Sequence, residues 1–298
     1  MAIFTIASHQ QGVGKTATAI HLAHGASVTG LKTLLVDFSP SCEATTILRG
    51  LPTNYRNSTA GLIESRGDLR RLSAETIRQE IRPSLDLLPS HYFLGSVLRE
   101  EMNSKQAEGG SMFLRDGLES LRENYDVVVI DSSVESTLLT VNAISYADMV
   151  IVPIRDESVL FDEFLCLTSL MPTGATTPAW CFLESMLPVG RSRSTLLDRR
   201  LRFFFEKFSY LRKSADDAQT QFLGILNSHI RNSQLIAQSM AQGSTLFDLQ
   251  SKITNGDRPV VTGLASDFIA LVEEVVALSI PIQPVPTPLD EELVQAAG

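Results

Sequence analysis

The sequence predicts an α/β fold: a doubly wound, mostly parallel sheet with helices on both faces. Short apolar runs alternate with segments of helical periodicity along most of the chain, a pattern typical of this class. The run Val127–Ile130 is apolar at every position, as expected for a strand that helices cover on both faces. A glycine-rich segment joins the first expected strand to the first helix, and such junctions bind ligands in open α/β sheets.

Runs of apolar and β-branched residues mark the expected strands. They are Ile3–Ala7, Thr33–Phe38, Ser84–Pro89, Asp126–Asp131, Asp148–Ile154, Ala179–Leu183 and Phe222–Asn227. Helical patterns lie between them. The expected helices are Thr16–Val28, Ala74–Ile81, Met112–Glu123, Glu135–Tyr146 and Val159–Leu170. Gly30 is expected to end the first helix, since glycine is common just after a helix C-terminus.

The composition excludes several classes of protein. The 298 residues are 44% hydrophobic, which is ordinary for a globular domain and excludes general disorder. No apolar run approaches the ~18 to 20 residues of a membrane span. The three cysteines form no CxxC pair, so neither a disulfide framework nor a zinc site is expected. The first residues carry no basic region, so we expect no signal peptide and a cytoplasmic protein.

We expect one α/β domain over residues 1–280. Residues near 172–220 fit the strand–helix alternation least well, and an atypical, basic, helical insertion is expected there. Residues 281–298 contain four prolines followed by acidic residues, which predicts an extended tail.

Charge is distributed unevenly along the chain. The net charge is −9, yet the window Arg191–Lys213 holds eight basic and two acidic residues, a local charge of +6. Clustered arginine and lysine side chains favour non-specific DNA binding. A solvated helix face is the alternative interpretation. The candidate DNA-binding residues are Arg191, Arg193, Arg199, Arg200, Arg202, Lys213 and Arg231.

The segment Gln11–Thr16 indicates a phosphate-binding loop. Gly14-Lys15-Thr16 matches the end of the Walker A pattern, whose first glycine falls here at His9. Glycines let backbone N–H groups converge on phosphate oxygens, and the helix N-terminus adds the positive end of its dipole. Lys15 is expected to contact the β- and γ-phosphates, and Thr16 is expected to hold Mg²⁺. The expected nucleotide contacts in the loop are Gln11, Gly12, Val13, Gly14, Lys15, Thr16 and Ala17.

Further segments occur in the order of a known family. They are Thr33–Pro40, Leu85–Ser90, Tyr125–Asp131, Leu139–Ala143, Ala147–Pro153 and Gly224–Asn227. With the variant phosphate loop near the N-terminus, they make the sequence resemble the ParA/MinD family of deviant Walker ATPases. The resemblance covers roughly residues 1–160 and 222–279.

The resemblance implies ATP and Mg²⁺ as cofactors. It places Asp37 and Asp131 around the metal with Thr16, and it assigns Asn227 a contact with adenine. It also implies an ATP-dependent homodimer, non-specific binding to nucleoid DNA and a ParB-like adaptor protein. A membrane-binding helix of the MinD type is not expected, because the tail is acidic and anionic lipid would repel it.

Four family positions carry other residues in this chain, namely Gln10, Gln11, Ser39 and Ser41. The signature lysine, which reaches the partner's nucleotide in the family's dimer, falls at Gln10, and the aspartate that positions the attacking water falls at Ser39. Lys15 and Asp37 remain as catalytic candidates, but hydrolysis is expected to be slow, since losing one cation at such a site can cost roughly 10³-fold. Arg155, which follows an expected strand, is the candidate substitute cation. The alternative is an exposed arginine that pairs with nearby acids or with solvent.

The expected function is that of a ParA-like, ATP-dependent dimerising protein that binds DNA and positions or partitions a cargo. A plasmid, a chromosome region or a protein assembly would each fit. The alternative is a nucleotide-binding regulator or scaffold that no longer hydrolyses ATP and acts through a protein partner. The basic window favours the first function, whereas Gln10 and Ser39 favour the second.

Overall fold

A computed structural model describes most of the chain. The described residues are 1–49, 54–64, 78–103, 113–132, 137–155, 160–170, 178–188, 199, 203, 222–253 and 256–279. Most of the expected insertion near 172–220, and all of the expected tail 281–298, lie outside these residues.

The described strands form one sheet of eight. Their bounds are Ala2–Ile6 (β1), Thr33–Phe38 (β2), Arg78–Arg82 (β3), Leu85–Leu88 (β4), Val127–Ser132 (β5), Met149–Ile154 (β6), Ala179–Leu187 (β7) and Phe222–Arg231 (β8). The strand order is β3-β4-β2-β5-β1-β6-β7-β8. Every neighbouring pair is parallel except β3 with β4. The prediction of a doubly wound, mostly parallel sheet is confirmed.

Helices follow most of the strands. The described helices are Lys15–Val28 (α1), Glu43–Arg49 (α2), Thr59–Glu64 (α3), Leu94–Asn103 (α4), Phe113–Leu118 (α5), Thr137–Tyr146 (α6), Leu160–Ser169 (α7), Gln234–Ala241 (α8), Leu246–Lys252 (α9) and Arg258–Ser279 (α10). Short 3-10 helices occupy Tyr55–Asn57 and Glu119–Asn124. Within the described residues, no helix has the length and apolar character needed to cross a membrane.

Alternate residues of the central strands pack against the helices on opposite faces of the sheet. On β2, Leu35 packs in the core that includes α1 and α10, while Leu34 and Val36 pack in the core that includes α3, α4, α5 and α6. All three side chains are fully buried. This burial on both faces explains why the central strands are apolar at nearly every position.

The expected helix Ala74–Ile81 is wrong where the structure describes it. Residues 78–82 form the edge strand β3, and residues 74–77 lie outside the described part. A tight turn at Pro83 and Ser84 folds β3 back against β4, so a pairing decided by tertiary structure overrides the local helical pattern. Arg82 then forms an ion pair of 2.8 Å with Asp248 of α9, which holds this edge against the C-terminal helices.

Two buried histidines fix α1, the helix that follows the glycine-rich loop. His21 Nε2 accepts a hydrogen bond from the Leu246 N–H at 3.2 Å, and His24 Nδ1 lies 2.7 Å from the Thr245 hydroxyl oxygen. Burial lowers the pKa of both histidines to about 4, so both are neutral at neutral pH. Because Thr245 caps α9 and Leu246 begins it, these contacts tie α1 to the C-terminal helices.

Candidate functional site

The loop between β1 and α1 has the backbone conformation of an anion-binding turn. Gly12 and Gly14 have φ angles of +70° and +82°, in the left-handed region that side chains other than glycine rarely adopt. Gly14 is the N-cap of α1 and supplies no side-chain hydrogen bond to the helix. The first N–H groups of a helix have no intrahelical acceptor, so here they are available to an anion, with the helix dipole behind them.

Lys15 brings a cation into this loop. Its Nζ donates a hydrogen bond to the Gln10 carbonyl oxygen at 2.7 Å, and the residue is only 9% exposed. Burial lowers the pKa of the ammonium, while the negative charges of Asp131, Glu163 and Glu43 act in the opposite direction. Lys15 therefore lies among carboxylates that favour its charged form.

Asp37 and Asp131 are register partners on the neighbouring strands β2 and β5. Asp37 accepts hydrogen bonds from the backbone N–H and the hydroxyl of Thr45, at 2.8 and 2.7 Å, and from the Ser39 N–H at 3.2 Å. Burial nevertheless raises the pKa of Asp37 to about 6. Parallel strands in register thus bring two carboxyl groups to the same edge of the sheet, beside the phosphate loop.

Asp131 is the unusual member of this pair. It is 1% exposed, and neither of its carboxylate oxygens accepts a hydrogen bond of ordinary geometry within the described residues, because the nearby Thr16 hydroxyl donates to Glu43. Burial, followed by the charge of Asp37, raises its pKa well above the usual range, while the Thr16 hydroxyl and the charge of Lys15 act in the opposite direction. A buried carboxylate without partners is costly unless a cation or a donor completes it.

Glu43 adds a carboxylate that the sequence analysis did not identify. It begins α2, and its Oε2 accepts a hydrogen bond from the Thr16 hydroxyl at 3.0 Å. Glu163 of α7 is a second one, buried and accepting a hydrogen bond from the His9 N–H. Neither residue belongs to a motif that marks phosphate or metal binding, so the sequence carried no signal for them.

A cavity of about 770 Å³ opens in front of the loop. Its near wall consists of loop and α1 residues together with Ser39, Ser41 and Glu43, and its far wall consists of the end of β8 and α8. The far-wall residues include Ile230, Arg231, Asn232, Ser233, Gln234 and Ile236. This volume is in the range of small-molecule and cofactor sites.

A nucleotide with a divalent cation fits these residues. The open helix N-terminus and Lys15 suit a polyphosphate, and the unpartnered oxygens of Asp131 suit a cation or its bound water. Within the described part of the chain, no three His, Cys, Asp or Glu side chains form a metal-binding group. Mg²⁺ is commonly bound by one or two carboxylates together with phosphate oxygens.

Most of the residues expected to contact nucleotide line this cavity. Gln11, Gly12, Gly14, Lys15, Thr16 and Ala17 do so. Val13 is buried behind the loop, where its carbonyl oxygen accepts a hydrogen bond of 2.7 Å from the Ser185 hydroxyl. Asp37 and Asp131 lie at the ends of the strands beside the loop. The local sequence pattern thus identified the near wall of the cavity.

The structure does not bring Asn227 to the cavity. Its side chain donates a hydrogen bond to Glu274 at 3.0 Å, and it lies within β8 rather than beyond the strand's end. The expected strand stopped at Asn227, whereas β8 continues to Arg231. The edge where ligands bind therefore falls four residues later, at the segment that begins with Asn232.

The candidate cations have different surroundings. Arg155 is exposed directly after β6, at the edge of the sheet that carries the loop. Arg231 lines the cavity and forms an ion pair of 2.8 Å with Asp267, so it is not part of a free basic surface. Arg199 is helical and exposed. The other candidate DNA-binding residues, Arg191, Arg193, Arg200, Arg202 and Lys213, lie outside the described residues.

A family model described as an AAA domain (AAA_31) matches residues 1–162, more than half of the chain. The chain belongs to this family of ParA/MinD-like P-loop domains. The matched residues include β1, the phosphate loop, α1, β2 with Asp37 and β5 with Asp131. The family predicted from the ordered motifs is confirmed.

Curated relatives agree with this membership. The chromosome partitioning protein ParA of Caulobacter vibrioides is 35% identical over 175 residues, which are 58% of this chain and 62% of the relative. The sporulation initiation inhibitor protein Soj of Bacillus subtilis is 28% identical over 155 residues, 52% of this chain and 58% of the relative. The chain thus matches about three fifths of the length of these relatives.

Solved structures share the fold over nearly the whole chain. The ATP complex of McdA from Cyanothece has a TM-score of 0.66 and 22% identity, and the match covers 93% of this chain and 96% of McdA. A plasmid partition protein from Borrelia burgdorferi bound to AMPPNP has a TM-score of 0.63 and 19% identity, with 93% and 98% covered. At these identities the likeness concerns the fold.

Replacing Asp131 tests whether its carboxylate lowers the free energy of unfolding of the protein without ligand. Asp131→Asn is expected to stabilise the protein by about 1 to 2 kcal/mol at neutral pH, because the variant no longer buries a titratable carboxyl group beside other carboxylates. Since the pKa of Asp131 is raised on folding, the penalty is complete above the folded pKa, declines as the pH falls below it, and is gone once the pH lies below the ordinary pKa of an aspartate.

Urea unfolding at neutral and at acidic pH measures this difference. The exposed Asp116→Asn makes the same chemical change away from the site and should leave stability within about 0.5 kcal/mol. An Asp131→Asn protein that is less stable than the wild type at neutral pH would contradict the interpretation.

Proposed function

We propose that the chain binds ATP with Mg²⁺ in the cavity beside the phosphate loop, and that it acts as a ParA-like positioning protein. The observation that carries the binding proposal is Asp131, a buried carboxylate that lies near Lys15 and an open helix N-terminus and whose oxygens accept no hydrogen bond of ordinary geometry from the described part of the chain. These groups are unfavourable without a ligand. A metal ion would neutralise the carboxylate of Asp131, and a polyphosphate would accept hydrogen bonds from the helix N-terminus.

Each residue then has a defined part in binding. The loop amides and Lys15 hold the phosphates, and Thr16 supplies a hydroxyl ligand for Mg²⁺, with Asp37 and Asp131 beside the metal. When bound, the cation would neutralise charge on the phosphates. The base would lie toward the far wall, where the exposed side chains of Asn232 and Gln234 offer hydrogen-bonding groups in place of Asn227.

Removing the loop cation tests nucleotide binding. Lys15→Ala is expected to weaken binding of a fluorescent ATP analogue at least about 100-fold, because a charge-assisted phosphate contact in a partly buried site is lost. Fluorescence polarisation measures the affinity, and circular dichroism checks that the fold remains. Lys32→Ala removes an exposed lysine at the opposite end of β2 and should bind as the wild type does. Equal affinity of the Lys15→Ala and wild-type proteins would refute the assignment.

Slow hydrolysis is part of this proposal, and the surroundings of Gln10 and Ser39 support it. The side-chain nitrogen of Gln10 is buried and has no hydrogen-bond partner within the described residues. The Ser39 hydroxyl lies 2.8 Å from the hydroxyl of Ser41, within its own loop. Neither residue offers the charge that phosphoryl transfer requires.

Arg155 is the cation that we propose for the contact between subunits, since it is exposed at the edge of the sheet that carries the loop. Arg155→Ala should reduce ATP-dependent dimerisation or turnover about 10-fold, while the affinity of the monomer for ATP stays unchanged. Sedimentation with and without ATP measures the first effect. Arg99→Ala, on the exposed surface of α4, is the control. If Arg155→Ala and Arg99→Ala dimerise equally well, Arg155 has no role in the dimer.

Non-specific DNA binding is the second part of the proposed function. The window Arg191–Lys213 carries a local charge of +6, and its described member Arg199 is exposed on a helix. A dimer would present this window twice and would gain affinity from bivalency. ATP-dependent DNA binding, with release stimulated by a ParB-like adaptor, would let the protein position a cargo on the nucleoid.

Charge reversal in the window tests DNA binding. Arg199→Glu combined with Arg202→Glu should weaken binding to duplexes of any sequence, and should lower the dependence of log K on log salt by about 0.9 for each lost phosphate contact. The same reversal at Arg99 and Arg258, which are exposed elsewhere, is the matched control. Polarisation titrations with ATP at two salt concentrations measure both slopes. Salt-independent binding, or no binding at low salt, would leave the window as a solvated surface.

A second function is favoured by the buried amide of Gln10 and by Ser39. A chain that binds ATP with Mg²⁺ but turns it over extremely slowly would act as a nucleotide-dependent scaffold for a protein partner. ATPase rates with and without DNA distinguish the two functions, since only the first predicts stimulation by DNA or by an adaptor.

A further inference from the structure

The carboxylate of Glu43 lies at the junction of the phosphate loop and the metal-side carboxylates. Its Oε2 accepts the hydrogen bond of the Thr16 hydroxyl at 3.0 Å, and the residue lines the cavity. Its charge also acts on Lys15, Asp37 and Asp131, which shows that it belongs to the same electrostatic group.

Asp37, the other acidic residue within 37–43, already accepts hydrogen bonds from its neighbours. Asp37 accepts hydrogen bonds on both of its oxygens, from Thr45 and from the Ser39 N–H. The hydroxyl of Ser39 lies 2.8 Å from that of Ser41. Of the two acidic residues within 37–43, Glu43 lines the cavity and Asp37 does not. The buried Asp131 does not line the cavity either, but it is close enough for the charge of Glu43 to act on it.

We propose that Glu43 is a positioning residue that makes nucleotide binding by this chain depend on a divalent cation. The inference rests on the proposed binding of ATP with Mg²⁺. Glu43 acts through Thr16 when the cation is bound, and it acts directly on the phosphates when the cation is absent.

The first action follows from the hydrogen bond. A hydroxyl that donates its proton to a carboxylate directs its lone pairs away from that carboxylate, toward a cation on the other side. Side chains that orient a metal ligand in this way typically change metal affinity 10- to 100-fold when they are replaced.

The second action follows from charge alone. Without a cation, the Glu43 carboxylate and the polyphosphate are like charges in one cavity, and they repel each other. With a cation between them, the same carboxylate is favourable. Glu43 thus weakens the binding of nucleotide without a metal ion and strengthens the binding of nucleotide with one.

The charge and the length of the side chain can be separated by two variants. Glu43→Gln keeps the size and a hydrogen-bond acceptor but removes the charge. Glu43→Asp keeps the charge but shortens the side chain, which breaks the contact with Thr16. Glu273→Gln removes an exposed carboxylate of α10 that does not line the cavity, and it is the matched control.

The experiment titrates a fluorescent ATP analogue into each protein, first in EDTA and then across a range of Mg²⁺ concentrations. For Glu43→Gln we expect metal-free affinity to rise about fivefold, while the Mg²⁺ concentration for half-maximal binding rises about tenfold. For Glu43→Asp we expect the higher Mg²⁺ concentration for half-maximal binding, but no change in metal-free affinity. Glu273→Gln should match the wild type in both measurements.

Stronger nucleotide binding in EDTA together with a weaker response to Mg²⁺ is the decisive result, since a structural defect would weaken both kinds of binding. If Glu43→Gln leaves both unchanged, or weakens nucleotide binding in EDTA, the role of Glu43 is refuted while nucleotide binding stands. If the wild type binds no nucleotide in the presence of Mg²⁺, the proposed function itself fails, and the inference fails with it.

Discussion

The buried carboxylate of Asp131 is the constraint on which the rest of the site depends. The parallel pairing of β2 and β5 places it beside Asp37, and the loop after β1 leads to Lys15, whose charge acts on Asp131. One ammonium faces several carboxylates, and both oxygens of Asp131 lack partners within the described residues. The fold thus maintains an incomplete charge arrangement at the edge of its sheet, which a bound cation and phosphates would complete.

Such an arrangement requires a rigid frame around it. The central strands are buried on both faces, so their register is strongly specified. The neutral histidines His21 and His24 fasten α1 to the start of α9, and the ion pair of Arg82 with Asp248 fastens the sheet edge to the same helix. The helix that carries the phosphate loop is therefore held from behind, while the loop itself stays open to the cavity.

Local patterns in the sequence predicted the near wall of the site, and nonlocal pairing decided the rest. Glycines, Lys15 and Thr16 identify the loop because their chemistry depends on adjacent residues. The helix expected at Ala74–Ile81 was wrong because an edge pairing determines β3, and Asn227 was displaced because β8 continues beyond its expected end. Glu43 was missed because its contact with Thr16 joins the first turns of α1 and α2, which are far apart in the sequence.

In the proposed site, ATP and Mg²⁺ together complete the charge arrangement around Asp131. Thermal unfolding of the wild-type protein with ATP alone, with Mg²⁺ alone and with both measures whether both are needed. A ligand near 100 times its Kd stabilises a protein by about 2.7 kcal/mol, so we expect Tm to rise by about 5 °C or more with both together. We expect a small change in Tm with either alone. If Tm does not rise with both together, or rises equally with Mg²⁺ alone, the site is not completed in this way.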